Sequence, residues 1–323
     1  MDGTTTLGRR RFLTAMGVLS SVPVLAACGA DDGGGGAAGP IEVRVGVLPI
    51  VGAAPLTLAA QEGLFAAGGL AVRPERVQSG AVALPALVAG DLDLLFGNHV
   101  STIAARSQNL DVVIIAEASR ARPDNFSVVT LPGSAIQRPT DLAGRTIGIN
   151  ALNNIGGLTV SAVAGAEGIP PDQLTFVEIP FPDMANALAN GRVEAAFLPE
   201  PFLSEARRTL AVRTVMDPCS GPTADLPIDG YVVTSRFAEE NPDTVRAFRD
   251  ALVEAQRRCA DRTVLEPLLV SSAGISPETA ARISASAYPT TTEAAQIQRV
   301  ADLMLQFGAL TRPMDVNELV RAA

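Results

Sequence analysis

A two-lobed α/β protein with a cleft between its lobes is what this sequence predicts, and three observations carry the prediction. The chain has 323 residues, beyond the length at which a single hydrophobic core stops growing and divides. Its body alternates strand-like and helix-like patterns. One stretch of that alternation occurs twice, about a hundred residues apart.

The alternation starts at Ile41. "IEVRVGVLP" reads as a strand, "PLTLAAQEGLF" as a helix, "LAVRPERV" as a strand, "AVALPALVAG" as a helix and "LDLLFG" as a buried strand, the order of an α/β sheet. "ALVAGDLDLLFGNH" (86–99) then superimposes on "ALANGRVEAAFLPE" (187–200) at an offset of 101, pairing Leu87 with Leu188, Gly90 with Gly191, Asp93 with Glu194 and Phe96 with Phe197. Upstream, "GVLPIVGAAPLTLAA" superimposes on "GINALNNIGGLTVSA" at an offset of 102. Two similar lobes follow, each with loops at the carboxyl ends of its strands, where ligands of open α/β sheets sit. The predicted rims are residues 49–54 and 98–101 on one lobe and 151–157, 181–184 and 199–202 on the other, with a cleft between.

"FSVVT" (126–130) and "YVVTS" (231–235) bound the second copy and read as hinge strands. Residues 41–125 plus 230–323 then form lobe I, and 126–229 form lobe II. The last ninety residues read as nearly all helical, with helices opened by Asn241-Pro242-Asp243, Ser276-Pro277-Glu278 and Thr292-Glu293.

The first forty residues read as an address. Arg9, Arg10, Phe12 and Leu13 have the R-R-x-F-L spacing of a twin-arginine export signal. The apolar run that follows ends in Leu25-Ala26-Ala27-Cys28, which looks like a lipobox. Its length is short of the roughly 20 apolar residues of a membrane span. Residues 1–27 are expected to be a signal peptide, Cys28 the lipidated new N-terminus, and the Gly-rich residues 28–40 a flexible tether. Gly34, Gly36 and Gly39 spell G-x-G-x-x-G, but ahead of the first strand, the wrong context for a dinucleotide loop.

Composition excludes more than it selects. Residues 28–323 carry 22 basic and 33 acidic side chains, a net charge of −11, and such a surface repels nucleic acid. There is no Lys and one His, which removes P-loop, Schiff-base, H-E-x-x-H and most His-dependent schemes. No metal and no cofactor is expected. Cys219 and Cys259 would either close a disulfide outside the cytoplasm or stay as two buried thiols.

The segments "DLAGRTIGIN", "TFVEIPFPDM", "ALANGRVEAAFLPEP" and "GYVVTSRFAEENPDTVRAF" resemble the NitT/TauT class of ABC-importer substrate-binding proteins, which take nitrate, sulfonates, taurine and thiamine pyrimidines. The resemblance covers residues 41 to about 260. It implies a type II periplasmic-binding-protein fold that closes over its ligand by a hinge motion. It also implies a small-molecule ligand and a permease with its cytoplasmic ATPase; together with the lipobox, the expectation is a monomer that meets the membrane through a lipid anchor only, at the outer face of the cell membrane.

Carried onto this sequence, the family's cleft falls on Pro49, Val51, Gly52, Ala53, Asn98, His99, Val100, Ser101, Asn153, Asn154, Gly156, Gly157, Asp183, Met184, Glu200 and Tyr231. Asn154, Gly156 and Gly157 would aim helix N–H groups at a polar ligand or only shape a turn. His99 would donate to a ligand or face solvent, and Asp183 would meet the ligand or serve its helix's first turn. Glu200, between two prolines, needs a partner from ligand or protein; Tyr231 would stack on ligand or stiffen the hinge. With no Arg or Lys on the rims, an N–H-bearing ligand such as a pyrimidine or an amine suits Asp183 and Glu200, unless Arg120 or Arg122 reaches inward for an oxyanion such as a sulfonate or nitrate. The rival readings are a binding protein serving a sensor and an exported enzyme on the same fold.

Overall fold

The computed structural model describes residues 39–321; the expectations for the leader, Cys28 and residues 28–38 of the tether lie outside the described residues. Two five-stranded mixed sheets organise the chain. In chain order, with helices of eight residues or more, the first part runs β1 Ile41–Val47, α1 Ala54–Gln61, β2 Leu70–Arg76, α2 Gly80–Ala89, β3 Leu94–Asn98, α3 His99–Ser107 and β4 Val112–Arg120. The second runs β5 Phe126–Thr130, β6 Thr146–Ile149, α4 Ile155–Ala166, β7 Thr175–Glu178, α5 Phe181–Ala189, β8 Ala195–Pro199, α6 Phe202–Leu210 and β9 Arg213–Met216. The chain returns through β10 Pro227–Thr234 and ends in α7 Pro242–Cys259, α8 Arg262–Ala273 and α9 Ala294–Gln306.

The sheet orders are β2-β1-β3-β10-β4 and β7-β6-β8-β5-β9, the same plan twice. The first three strands of each are parallel, and a strand from the other crossing enters antiparallel next to the third. The register reproduces the sequence offsets: Val45 and Gly46 pair with Leu94 and Leu95, while Ile147 and Gly148 pair with Ala195 and Ala196. Each copy also ties its first strand to its third with a carboxylate. Asp93 accepts from the Arg44 backbone N–H at 2.7 Å and pairs with the Arg44 guanidinium at 2.8 Å. Glu194 accepts from the Thr146 N–H at 3.1 Å and pairs with Arg145 at 2.9 Å.

Burial explains why these runs are strands. β3, β5 and β8 are buried at every residue, as strands covered on both faces must be. The structure differs from the sequence reading in two places. β5 and β10 are interior strands, flanked by β8 and β9 and by β3 and β4, so they are sheet members, and the crossings between sheets are the short segments 121–125 and 217–226. β10 also begins at Pro227, three residues before the expected boundary. The C-terminal part is less helical than its cap signals suggest: Ser276 caps only a four-residue turn, Pro277–Ala280, and the strand-like bridge of Ala287 to Arg120 interrupts the rest.

Candidate functional site: a chamber between the two sheets

The carboxyl ends of β1 and β3 face those of β6 and β8, and antiparallel β5 and β10 begin at the same edges. Leu48, Ile50, Asn98, Ile228 and Asp229 from the first sheet therefore meet Phe126, Asn150, Asn154, Ile155, Phe181 and Phe197 from the second around a chamber of about 20 Å3. That volume holds about one water. On one flank the rims touch: the Val51 N–H donates to the Glu200 carbonyl at 3.1 Å.

Asp229 is the one ionisable side chain in this lining. It is 4 % exposed, and its carboxylate accepts the Ser119 hydroxyl at 2.8 Å. Burial pushes its pKa up to about 7, only partly opposed by Ser119. Gly52 is glycine because the rim presses on this group. A Cβ there would stand 3.0 Å from Asp229 Oδ2 and 3.1 Å from Ser119 Oγ. Opposite, Asn154 caps α4 by accepting from the Ile155 N–H, which leaves its buried Nδ2 without a hydrogen-bond partner; the Asn150 Oδ1 also has none. Unpaired buried amide atoms are costly, and here they line a space where a solute can pair them. Asn98 accepts from the Ser101 N–H at 3.0 Å and caps α3. Phe126 stacks on Phe197 at 5.2 Å, Phe197 lies 6.5 Å from Phe181, and Phe181 stacks on Phe202 at 5.5 Å, measured between ring centroids.

A larger groove of about 590 Å3 adjoins the chamber, and Leu48 and Ile50 line both. Pro49, Val51 and Ala53 face this groove, together with Arg76, Pro201, Phe202 and Leu269.

Of the residues singled out by sequence, Asn98 and Asn154 reach the chamber and Pro49, Val51 and Ala53 the groove. The others stand elsewhere, each for a physical reason. His99 is fully buried under Gly230, where a Cβ would come within 2.8 Å of its Cε1. Burial and then Arg120 push its pKa down to about 3, so it is a neutral core ring. Val100 and Ser101 follow it into the buried face of α3. Tyr231 is also core, edge-on to Phe96 at 5.6 Å and Phe248 at 5.1 Å. Met184 is buried against Gly148. Gly156 lets α4 approach Ile149 and Phe197, with Gly157 beside Ile149 and Phe176. Asn153 and Asp183 are exposed, Asn153 in the left-handed conformation at φ 52.

Glu200 is buried, but protein meets its charge: its carboxylate accepts from the Ser204 N–H and hydroxyl, both at 3.0 Å, with Arg207 at 3.8 Å. Burial still raises its pKa. Arg120 is held by Glu117 at 2.5 and 3.0 Å and does not line the chamber. Cys219 and Cys259 are free, buried thiols, not a disulfide. Cys219 lies against the backbone of Phe126 and Arg122, while Cys259 ends α7 beneath Glu62 and Arg258. Among the described residues no His, Cys, Asp and Glu group could hold a metal ion, and no helix is long and apolar enough to cross a membrane.

The match of residues 51–262 to the NMT1/THI5-like family profile decides the family. The chain belongs to the NMT1/THI5-like family. It is 27 % identical over 221 residues to the taurine-binding periplasmic protein of Escherichia coli (strain K12), covering 67 % of this chain and 66 % of that one. It is 26 % identical over 230 residues to a Bacillus subtilis (strain 168) protein named for binding aliphatic sulfonates, covering 70 % of this chain and 67 % of that one. The chain thus spans about two thirds of the length of these relatives. Among solved structures, the alkanesulfonate-binding protein SsuA from Xanthomonas axonopodis pv. citri, bound to MOPS, superimposes with a TM-score of 0.76 at 19 % identity, over 89 % of this chain and all of that one. This likeness confirms the expected two-lobed periplasmic-binding-protein fold. The fold is not confined to binders, since the desulfurization enzyme DSZB shares it at a TM-score of 0.61 and 17 % identity.

Proposed function

We propose that this chain is an extracytoplasmic solute-binding protein of an ABC importer, which holds a small organic solute between its sheets and passes it to a membrane permease driven by a cytoplasmic ATPase. The observation that carries the reading is the set of groups in the chamber. Once ionised, Asp229 accepts from a partner with N–H donors, and the free Asn150 Oδ1 and Asn154 Nδ2 add one acceptor and one donor. The stacked phenyl rings supply an apolar wall. A sulfonate that also carries an amino group fits this set, and the relatives named for taurine and aliphatic sulfonates support that class. Catalysis is not the function we assign. A nucleophile needs a base beside it, whereas this lining holds one ionisable group and the single His is buried and neutral. Export as a lipoprotein anchored through Cys28, acting as a monomer, completes the reading.

Thermal denaturation with added solutes tests it, because a ligand of the native state stabilises by RT ln(1 + [L]/Kd). Taurine and other amino-sulfonates, or amino-bearing pyrimidines, at about 100 Kd are expected to add roughly 2.7 kcal/mol, a rise in Tm of several degrees. A rise with nitrate alone, and none with any N–H-bearing compound, would overturn the proposal.

A further inference from the structure

The chamber has room for the head of an organic solute and not for a long tail, and the space that adjoins it has a chemistry of its own. Its volume of about 20 Å3 is more than tenfold below the 590 Å3 of the groove beside it; organic ligands fill pockets of roughly 300–1,000 Å3. Two features join these spaces. Leu48 and Ile50 line both, and the phenyl series that begins at Phe126 and Phe197 in the chamber continues through Phe181 to Phe202 in the groove. The groove wall is otherwise apolar or neutral, including Pro49, Ala53 and Leu269, and Arg76 at the end of β2 is its one charged residue. Arg76 is exposed and forms no ion pair among the described residues.

We infer that the groove is a second compartment of the binding site, which takes an apolar extension of the solute and its anionic far end, with Arg76 as the counter-charge. The solute is then elongated: cationic or N–H-bearing at Asp229, aliphatic along Ile50 and Phe202, and anionic at Arg76. This rests on the reading of the chamber as the head site, and it adds a length selectivity that a compact solute such as taurine does not use.

Titration calorimetry of the purified protein with a homologous series of ω-amino-alkanesulfonates, from two to eight methylenes, tests the inference. Each methylene placed on the apolar wall is worth about 0.8 kcal/mol, so Kd is expected to fall up to about fourfold per added methylene until the sulfonate reaches Arg76, and then to level. Arg76→Gln is expected to weaken the long members roughly tenfold and leave the two-carbon member unchanged. Ala60→Trp, a substitution on the exposed face of α1 that fills the groove, is expected to abolish the gain with length while the short member still binds. The groove inference falls alone if the short member binds but affinity is flat or declines with length, or if both variants bind the long members as tightly as the natural sequence. If no member binds at all, the chamber reading falls with it.

Discussion

Asp229 and Phe126 hold the same position in their two sheets. Asp229 is paired with Asn98 across β10 and β3, and Phe126 with Pro199 across β5 and β8; Asn98 and Pro199 are equivalent at the offset of 101. One sheet puts a carboxylate at this edge and the other a phenyl ring, and the two face each other across the chamber. The sheets share everything that makes a scaffold: strand order, register and the carboxylate tie from β3 or β8 back to β1 or β6. They differ where the chain meets the space between them, the first sheet supplying charge and the second supplying aromatic surface. The two copies keep the parts that fold and differ in the parts that line the chamber.

The largest effect should come from removing the charged half of that pair. Asp229→Asn is expected to weaken binding of an amino-bearing solute on the order of 100-fold, the loss that follows when a buried charge-assisted contact goes. The same variant carries a signature in the free protein. The native pKa of about 7 lies above the roughly 3.9 of an unfolded Asp, so between about pH 4 and pH 7 the native state holds a proton that the unfolded state has released. Stability contributed by Asp229 is therefore greatest at the acid end and falls as pH rises through that window, by a few kcal/mol at most. Urea unfolding from pH 4.5 to 8 should show the decline in the natural sequence and a flatter profile in Asp229→Asn. An unchanged profile would take the proton off Asp229.

An intermediate effect is expected at Glu200, the counterpart of His99. Because its carboxylate serves the first turn of α6 through Ser204, Glu200→Ala should cost about 1–2 kcal/mol of stability and change solute affinity less than twofold. Loss of affinity without loss of stability would return Glu200 to the site.

The smallest effect compares the two ties. Asp93 and Glu194 do the same work, but the Asp93 side chain is 18 % exposed and Glu194 40 %. Asp93→Ala should cost about 1 kcal/mol and Glu194→Ala about half that, within the range for surface and half-buried pairs. Chemical denaturation of both variants measures the difference, and equal losses would mean that screening does not separate them.

Much of the scaffold was readable before any coordinate. Alternation and an offset of 101 to 102 predict paired sheets, because a repeat that keeps its spacing keeps its strand register. The site was less readable, and for local reasons. Asp229 stands in "LPIDGYVV", an acid inside an apolar run, which is a usable signal, but a strand read as starting at Tyr231 excludes it, whereas β10 begins at Pro227. Glu200 looked unpaired because its partner sits one helical turn further on, at Ser204. His99 and Tyr231 illustrate the limit: His99 packs under Gly230 and Tyr231 between Phe96 and Phe248, contacts distant in sequence that local periodicity does not encode.

Cys219 and Cys259 carry a consequence for how the chain is made. Each is shut inside the fold with its pKa pushed up to about 12 by burial, which leaves almost no thiolate to oxidise or exchange. Among the described residues no covalent cross-link holds the fold, so these two thiols ask for no oxidising compartment and no disulfide-forming helper. A chain built this way could finish folding in the cytoplasm and cross a membrane already assembled, the order of events that the twin-arginine leader expected at Arg9 and Arg10 would impose.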